Sequence, residues 1–242
     1  MTGSFESRSV GRFPADPEAR YGPDAALVVV DVQNDFADPM GSLYVRGGGE
    51  IVPGINREIE RAREAGAAVV YTQDWHPAHT PHFAADGGIW PVHCVQETWG
   101  AALHPQLRVA GPIVRKGVHG EDGYSGFSMR NPTGGLPTPT ELDQILARDG
   151  IQRILVCGLA TDYCVKATAL DGVRLGYRTA ALVDFMRAVN LSPGDGDAAL
   201  DEMRAAGVTL LGGETARGDK ARDETARGET ASNEMAREHR GS

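Results

Sequence analysis

Ile154-Leu155-Val156-Cys157-Gly158-Leu159-Ala160-Thr161-Asp162-Tyr163-Cys164-Val165-Lys166 is the stretch on which the fold turns. Its first half is a short apolar run rich in branched residues, the pattern of a strand buried on both faces. The run meets a glycine, and the spacing predicts a helix opening over Asp162 to Leu175, with Thr161 or Asp162 as cap through a side-chain oxygen. Cys164 would then sit in the first helical turn, facing free amides and the positive end of the macrodipole, both of which favour thiolate. Two readings of it stand side by side. One is a sulfur nucleophile beside ready-made oxyanion donors; the other is a small apolar core residue, the fate of most free cysteines.

Outward from this turn the same alternation repeats. Ala25 to Val30 is an apolar run ending at Asp31. A Gly47-Gly48-Gly49 turn leads into a helix with Ile51, Ile55, Ile59 and Ala62 on one face, closed by Ala65-Gly66. Strands are expected at Ala67 to Tyr71, Pro112 to Arg115, Ile151 to Cys157, Tyr177 to Val183 and Val208 to Leu211. Further helices are expected at Glu141 to Ala147 and Ala198 to Ala206. Strands alternating with helices define an α/β fold: a doubly wound, mainly parallel sheet with helices on both faces, a three-layer Rossmann-like sandwich.

The ends read differently. Residues 1–23 are polar and punctuated by Gly and Pro, as in a loosely ordered arm without the apolar run of a signal peptide. After residue 213, Glu214-Thr215-Ala216-Arg217-Gly218 recurs as Glu224-Thr225-Ala226-Arg227-Gly228, and Glu229-Thr230-Ala231 begins a third copy. A charged segment with so few large apolar residues reads as a solvated tail, leaving residues 24–213 as the folded unit.

The whole chain has 242 residues, 41% hydrophobic, with a net charge of −9. That charge argues against nucleic acid or an anionic membrane as partner. No apolar run is long enough to span a bilayer. Three cysteines in a chain of this length do not make a disulfide scaffold, so a reducing cytoplasm is the expected setting.

In open α/β sheets, sites form beyond the carboxyl ends of the strands. There the chain places Asp31, Asp74-Trp75-His76, Lys116 and the Ala160–Cys164 turn. A carboxylate, an ammonium and a thiol in one crevice make an activated-nucleophile set, although each alone has an ordinary structural explanation. Between Asp74 and Ala110 regular patterning vanishes, yet the segment holds five of the seven histidines and all three tryptophans. A structureless stretch of that length is uncommon unless it binds something. Asp74-x-His76, with His82 and His93, has the character of a site for a divalent transition metal such as zinc, iron or manganese. His79 and His104, each beside a proline, are read as loop residues, and Cys94 as a packed thiol.

These motifs, with Asp31-Val32-Gln33-Asn34-Asp35-Phe36, Trp90-Pro91-Val92-His93-Cys94-Val95 and Tyr124-Ser125-Gly126-Phe127, resemble the bacterial nicotinamidases of the isochorismatase-like cysteine hydrolase superfamily. The likeness runs in order from about Ala25 to Leu211. It implies that Cys164 is the nucleophile, Asp31 the general base and acid, and Lys116 the charge that tunes both. It further implies a cis peptide before Ala160, so that the Ala160 and Cys164 amides form an oxyanion hole. Asp74, His76 and His93 would bind the metal, with His82 as a fourth ligand. Phe36, Trp90 and Tyr124 would line a slot for a flat aromatic ring. The implied reaction is deamidation of nicotinamide to nicotinate in NAD salvage, with pyrazinamide as a further substrate and a homo-oligomer as a possible assembly. The alternatives are a relative cleaving a carbamoyl or ureido compound, or a catalytically silent binding protein. One departure stands out: Asp184-Phe185-Met186 replaces smaller residues after the fifth strand, which points to a changed pocket rim or subunit contact.

Overall fold

Six parallel strands carry the molecule, and their order explains where its chemistry collects. The computed structural model describes residues 20–130, 134 and 136–213. In chain order the elements are β1 (Ala25–Val30), α1 (Asn34–Ala37), α2 (Val52–Glu64), β2 (Ala68–Asp74), β3 (Ile113–Lys116), β4 (Ser128–Met129), β5 (Thr138–Pro139), α3 (Leu142–Arg148), β6 (Arg153–Leu159), α4 (Lys166–Arg174), β7 (Arg178–Arg187), α5 (Asp195–Ala205) and β8 (Thr209–Leu211). The sheet runs β3-β2-β1-β6-β7-β8, while β4 and β5 form a separate antiparallel pair. From β1 the chain winds outward one way through β2 and β3, then returns to β6 and winds the other way. The switch point between β1 and β6 is where a crevice must open.

β1 is buried along its whole length. Ala25, Leu27 and Val29 join the core under α2 with Ile55, Ile59 and Ala62. Ala26, Val28 and Val30 join the opposite core with Leu142, Leu146, Ala169 and Met203 from α3, α4 and α5. This two-sided burial is why the strand reads as a continuous apolar run instead of an alternating one. Burying Ile55 and Ile59 contributes about 2 kcal/mol each. α2 stops on Gly66 at φ +74, a left-handed position that favours glycine.

Several boundaries differ from expectation. β6 does not stop before Gly158 but runs to Leu159, because Gly158 pairs with Val30 on one side and Met186 on the other. β7 likewise extends four residues past Val183, taking in Asp184, Phe185 and Met186. These three do not form the crevice wall. The Phe185 ring lies where a β-carbon on Gly54 would be, 2.5 Å away. Met186 is buried in the second core, and Asp184 accepts a hydrogen bond from the Gly213 amide. The last residues of the expected loose arm are docked: Tyr21 is buried and its hydroxyl donates to Glu58 at 2.8 Å. The rest of that arm, residues 1–19, and the repeat-bearing segment 214–242 lie outside the described residues.

Gly158 permits the β6 geometry. Its φ is +114, and a β-carbon there would fall 2.1 Å from the Val30 carbonyl oxygen. Gly158→Ala is expected to destabilise the fold by about 3 kcal/mol, the sum of a forbidden backbone region and a clash with a central strand. Urea unfolding measures this directly; a midpoint equal to that of the unaltered protein would refute the argument.

Candidate active site

Three of the charged residues are delivered by neighbouring strand ends. Asp74 and Lys116 are register partners at the ends of β2 and β3, and Asp31 follows β1 at φ +47, a left-handed backbone unusual for a non-glycine residue. Lys116 is wholly buried, with its Nζ 2.9 Å from Asp31 Oδ2, paired with Asp74 Oδ1, and 3.6 Å from Cys164 Sγ. Thr72, two residues before Asp74 on the same face of β2, donates its hydroxyl to Asp31 Oδ1 at 2.6 Å. Gln33 clamps the Asp74 backbone from both sides, donating from Nε2 to its carbonyl and accepting at Oε1 from its amide, each at 2.8 Å. Asp35 accepts from the Cys94 amide at 2.7 Å and the Ser42 amide at 3.0 Å. The polar residues of the Asp31–Phe36 segment thus tie the strand end to the histidine loop.

Burial and charge pull the titrations apart. Burial pushes the Asp31 carboxyl up, against the pull of the Lys116 ammonium, and the neighbouring Asp74 charge adds to the rise. Asp74 is also buried, but Lys116, His76 and His93 outweigh that and hold it well below the usual carboxylate range. For Lys116, the cost of burial is overcome by Asp31, Asp74 and Cys164, so the ammonium persists. Cys164 corrects the expected thiolate: burial pushes the thiol well above its ordinary range, Lys116 only partly opposes this, and Asp31 and Asp74 raise it further. A thiol pushed up in this way calls for a base at the moment of attack.

The turn that carries Cys164 also departs from expectation. The Leu159–Ala160 peptide is cis. A five-residue π-turn, Thr161–Val165, precedes α4, with Ala160 at its N-terminal boundary and no side-chain cap. Asp162 does not cap this turn. Its carboxylate instead accepts from the Val189 amide at 3.0 Å and the Asn190 amide at 2.8 Å. Asp162 therefore sets the position of Val189, which lines the crevice. Asp162→Ala leaves two amides without their acceptor, an expected loss of about 2 kcal/mol in stability. Substrate KM is expected to rise several-fold, with recovery in Asp162→Asn; steady-state kinetics showing wild-type KM in the alanine variant would refute this.

Next to the ion-pair cluster lie three buried imidazoles. One ring nitrogen from each of His76, His82 and His93 falls within 4.8 Å of the other two. Both ring nitrogens of His76 are buried without a hydrogen-bond partner, an arrangement that calls for a cation. His93 Nδ1 lies 2.7 Å from the Pro91 carbonyl oxygen, and burial lowers its pKa to about 4, so the ring is neutral. His82 Nδ1 lies 2.8 Å from Asp122 Oδ1. With Nδ1 engaged on both rings, Nε2 is the nitrogen left for ligation. Asp74 Oδ2 is 3.8 Å from His76 Nε2, so this carboxylate stands between the two clusters. Buried imidazoles beside a carboxylate fit a divalent transition metal. Cys94 is buried in the core and is not part of the imidazole group, while His79 is exposed beside Asp86.

The crevice between these groups is lined by Phe36, Trp90 and Tyr124, together with Ala160, Cys164, His82 and His93. Trp90 Nε1 donates to the Tyr124 hydroxyl at 3.0 Å. Sequence reasoning missed Tyr163, whose ring centroid lies 4.9 Å from that of Trp90 and 5.2 Å from that of Tyr124. It missed Leu43, Val45 and Val189 as further wall. Tyr163 was within reach, being the residue before Cys164; nothing in the residues around Val189 marks it.

A chain with this sheet has counterparts among known proteins. The family model described as isochorismatase domain matches residues 25–215, and the chain belongs to the isochorismatase family. Within that family it is 40% identical over 206 residues to the nicotinamidase of Escherichia coli (strain K12), covering 78% of this chain and 94% of that one. Among solved structures it is similar to the pyrazinamidase of Pyrococcus horikoshii in complex with zinc, with a TM-score of 0.70 and 39% identity over 78% of this chain and 99% of the other. PnC1 from L. infantum in complex with nicotinate gives a TM-score of 0.72 and 37% identity, covering 79% of this chain and 94% of that one.

Proposed function

We propose that the protein is a metal-containing cysteine amidohydrolase that converts nicotinamide to nicotinate and ammonia, and that it also accepts pyrazinamide. The observation that carries the reading is Lys116 Nζ lying within 3.6 Å of Cys164 Sγ and 2.9 Å of Asp31 Oδ2, beside three imidazoles gathered at one crevice. Asp31 takes the thiol proton as Sγ attacks the carboxamide carbon. A carboxyl raised by burial is suited to take that proton and then release it. The amide N–H groups of Ala160 and Cys164 hold the tetrahedral oxyanion. Asp31 next passes the proton to the leaving nitrogen, the C–N bond breaks, and ammonia departs from a thioester. Water then adds to the thioester, Asp31 accepts its proton, and the sulfur leaves and is reprotonated. Lys116 keeps its charge throughout and offsets part of that on the two carboxylates.

Phe36, Trp90 and Tyr124 stack around the flat ring. Asp74, His76, His82 and His93 would hold the metal, zinc being the ion we favour; when bound it supplies a Lewis-acid contact for the ring nitrogen. The test is ammonia release across a panel of small amides under defined metal content. Turnover of nicotinamide and pyrazinamide is expected; release from a ureido compound with none from nicotinamide would overturn the assignment.

A further inference from the structure

The residue that holds His82 in the imidazole cluster comes from a different loop, the one that joins β3 to β4. Asp122 Oδ1 is buried and lies 2.8 Å from His82 Nδ1. The Asp122 backbone is fixed in turn: its amide donates to the Arg130 carbonyl at 2.7 Å, and the Arg130 amide donates back to the Asp122 carbonyl. The two loops are also clipped together through Thr80, whose hydroxyl donates to the Gly120 carbonyl at 3.0 Å and accepts from the His82 amide at 3.3 Å. His82 is therefore held at its backbone through Thr80 and at its ring by Asp122, so the orientation of the imidazole itself rests on the carboxylate.

We propose that Asp122 is a positioning residue that fixes the ring orientation and tautomer of His82, so that its Nε2 is presented to a divalent transition metal as a third imidazole ligand. This rests on the metal-binding reading above. A carboxylate behind a ligating imidazole keeps the proton on the far nitrogen and makes the near one a stronger donor, and losing such a partner commonly weakens metal affinity 10- to 100-fold. Arg130 approaches the other Asp122 oxygen only at 3.7 Å from an exposed position, so its own side chain is not expected to matter.

The experiment is zinc titration of the full chain against a chromophoric chelator, with no turnover involved. Asp122→Ala is expected to weaken zinc binding 10- to 100-fold, Asp122→Asn to recover part of the loss because its side-chain oxygen can still accept from Nδ1, and Arg130→Ala to bind as the unaltered protein does. In a His82→Ala background, adding Asp122→Ala should change affinity no further, since the group it orients is gone. Equal zinc affinity in Asp122→Ala and the unaltered protein, or full additivity of the two substitutions, overturns the proposal. The thermal midpoint of the metal-free Asp122→Ala variant is read alongside, so that a loop that merely unfolds is recognised by a loss the His82→Ala background does not abolish. Failure of the unaltered protein to bind zinc, iron or manganese at all would instead overturn the metal-site reading on which this one depends.

Discussion

Cys164→Ala is expected to lower nicotinamide turnover by at least about 10⁴-fold, the loss that deletion of a nucleophile gives where the remaining machinery can only bind and polarise. The metal content of the same protein stays unchanged, because the imidazole group of His76, His82 and His93 does not include Cys164. The two readouts together are what make the result informative. A metal hydrolase with a bystander cysteine predicts the reverse pattern, full turnover in Cys164→Ala, and that outcome would end the thiol mechanism. Cys164→Ser falls almost as far. The site already holds its thiol well above the ordinary range through burial, and a hydroxyl, whose proton is harder still to remove, cannot be ionised there by a neighbouring carboxylate. Protein folding is little affected by either change, since both side chains fit the space of the thiol.

His76→Ala is expected to take the bound ion from about one per chain to none and to lower kcat/KM by roughly 10²- to 10³-fold. The magnitude follows from the surroundings of the ring. Its two nitrogens are buried without a hydrogen-bond partner, so no competing role inside the protein accounts for them. Chelation of the unaltered protein gives the same loss, and adding metal back restores it, whereas the His76→Ala variant is not rescued. Elemental analysis beside the deamidation assay decides the matter: full activity in metal-free protein would show that the imidazoles serve structure alone.

The features legible in the residues were those written as patterns of polarity. β1 and β6 could be read because burial on both faces leaves a continuous apolar run, and α2 because Ile55, Ile59 and Ala62 recur at helical spacing. The crevice could be located because Asp31, Asp74 and Lys116 interrupt apolar runs at strand ends, where the topology must gather them. What could not be read depends on the third dimension. A helix start next to Thr161 and Asp162 suggests a cap, yet Asp162 finds two amides 27 and 28 residues away. The dipole argument for a thiolate ignores desolvation, which only the packed site reveals. Asp122 and His82, forty residues apart, meet through two irregular loops with no periodicity to register them.

The lysine at the centre of the charge cluster rides on β3, a strand of four residues at the border of the sheet, hydrogen-bonded on one side only, to β2. The nucleophile, by contrast, follows β6, which is flanked by neighbours on both sides. Borders of sheets fray before their centres do. Warming or mild denaturant is therefore expected to loosen the ammonium from the two aspartates while the sulfur is still in place, so that turnover is lost at a lower denaturant concentration than the far-UV signal of the sheet and helices.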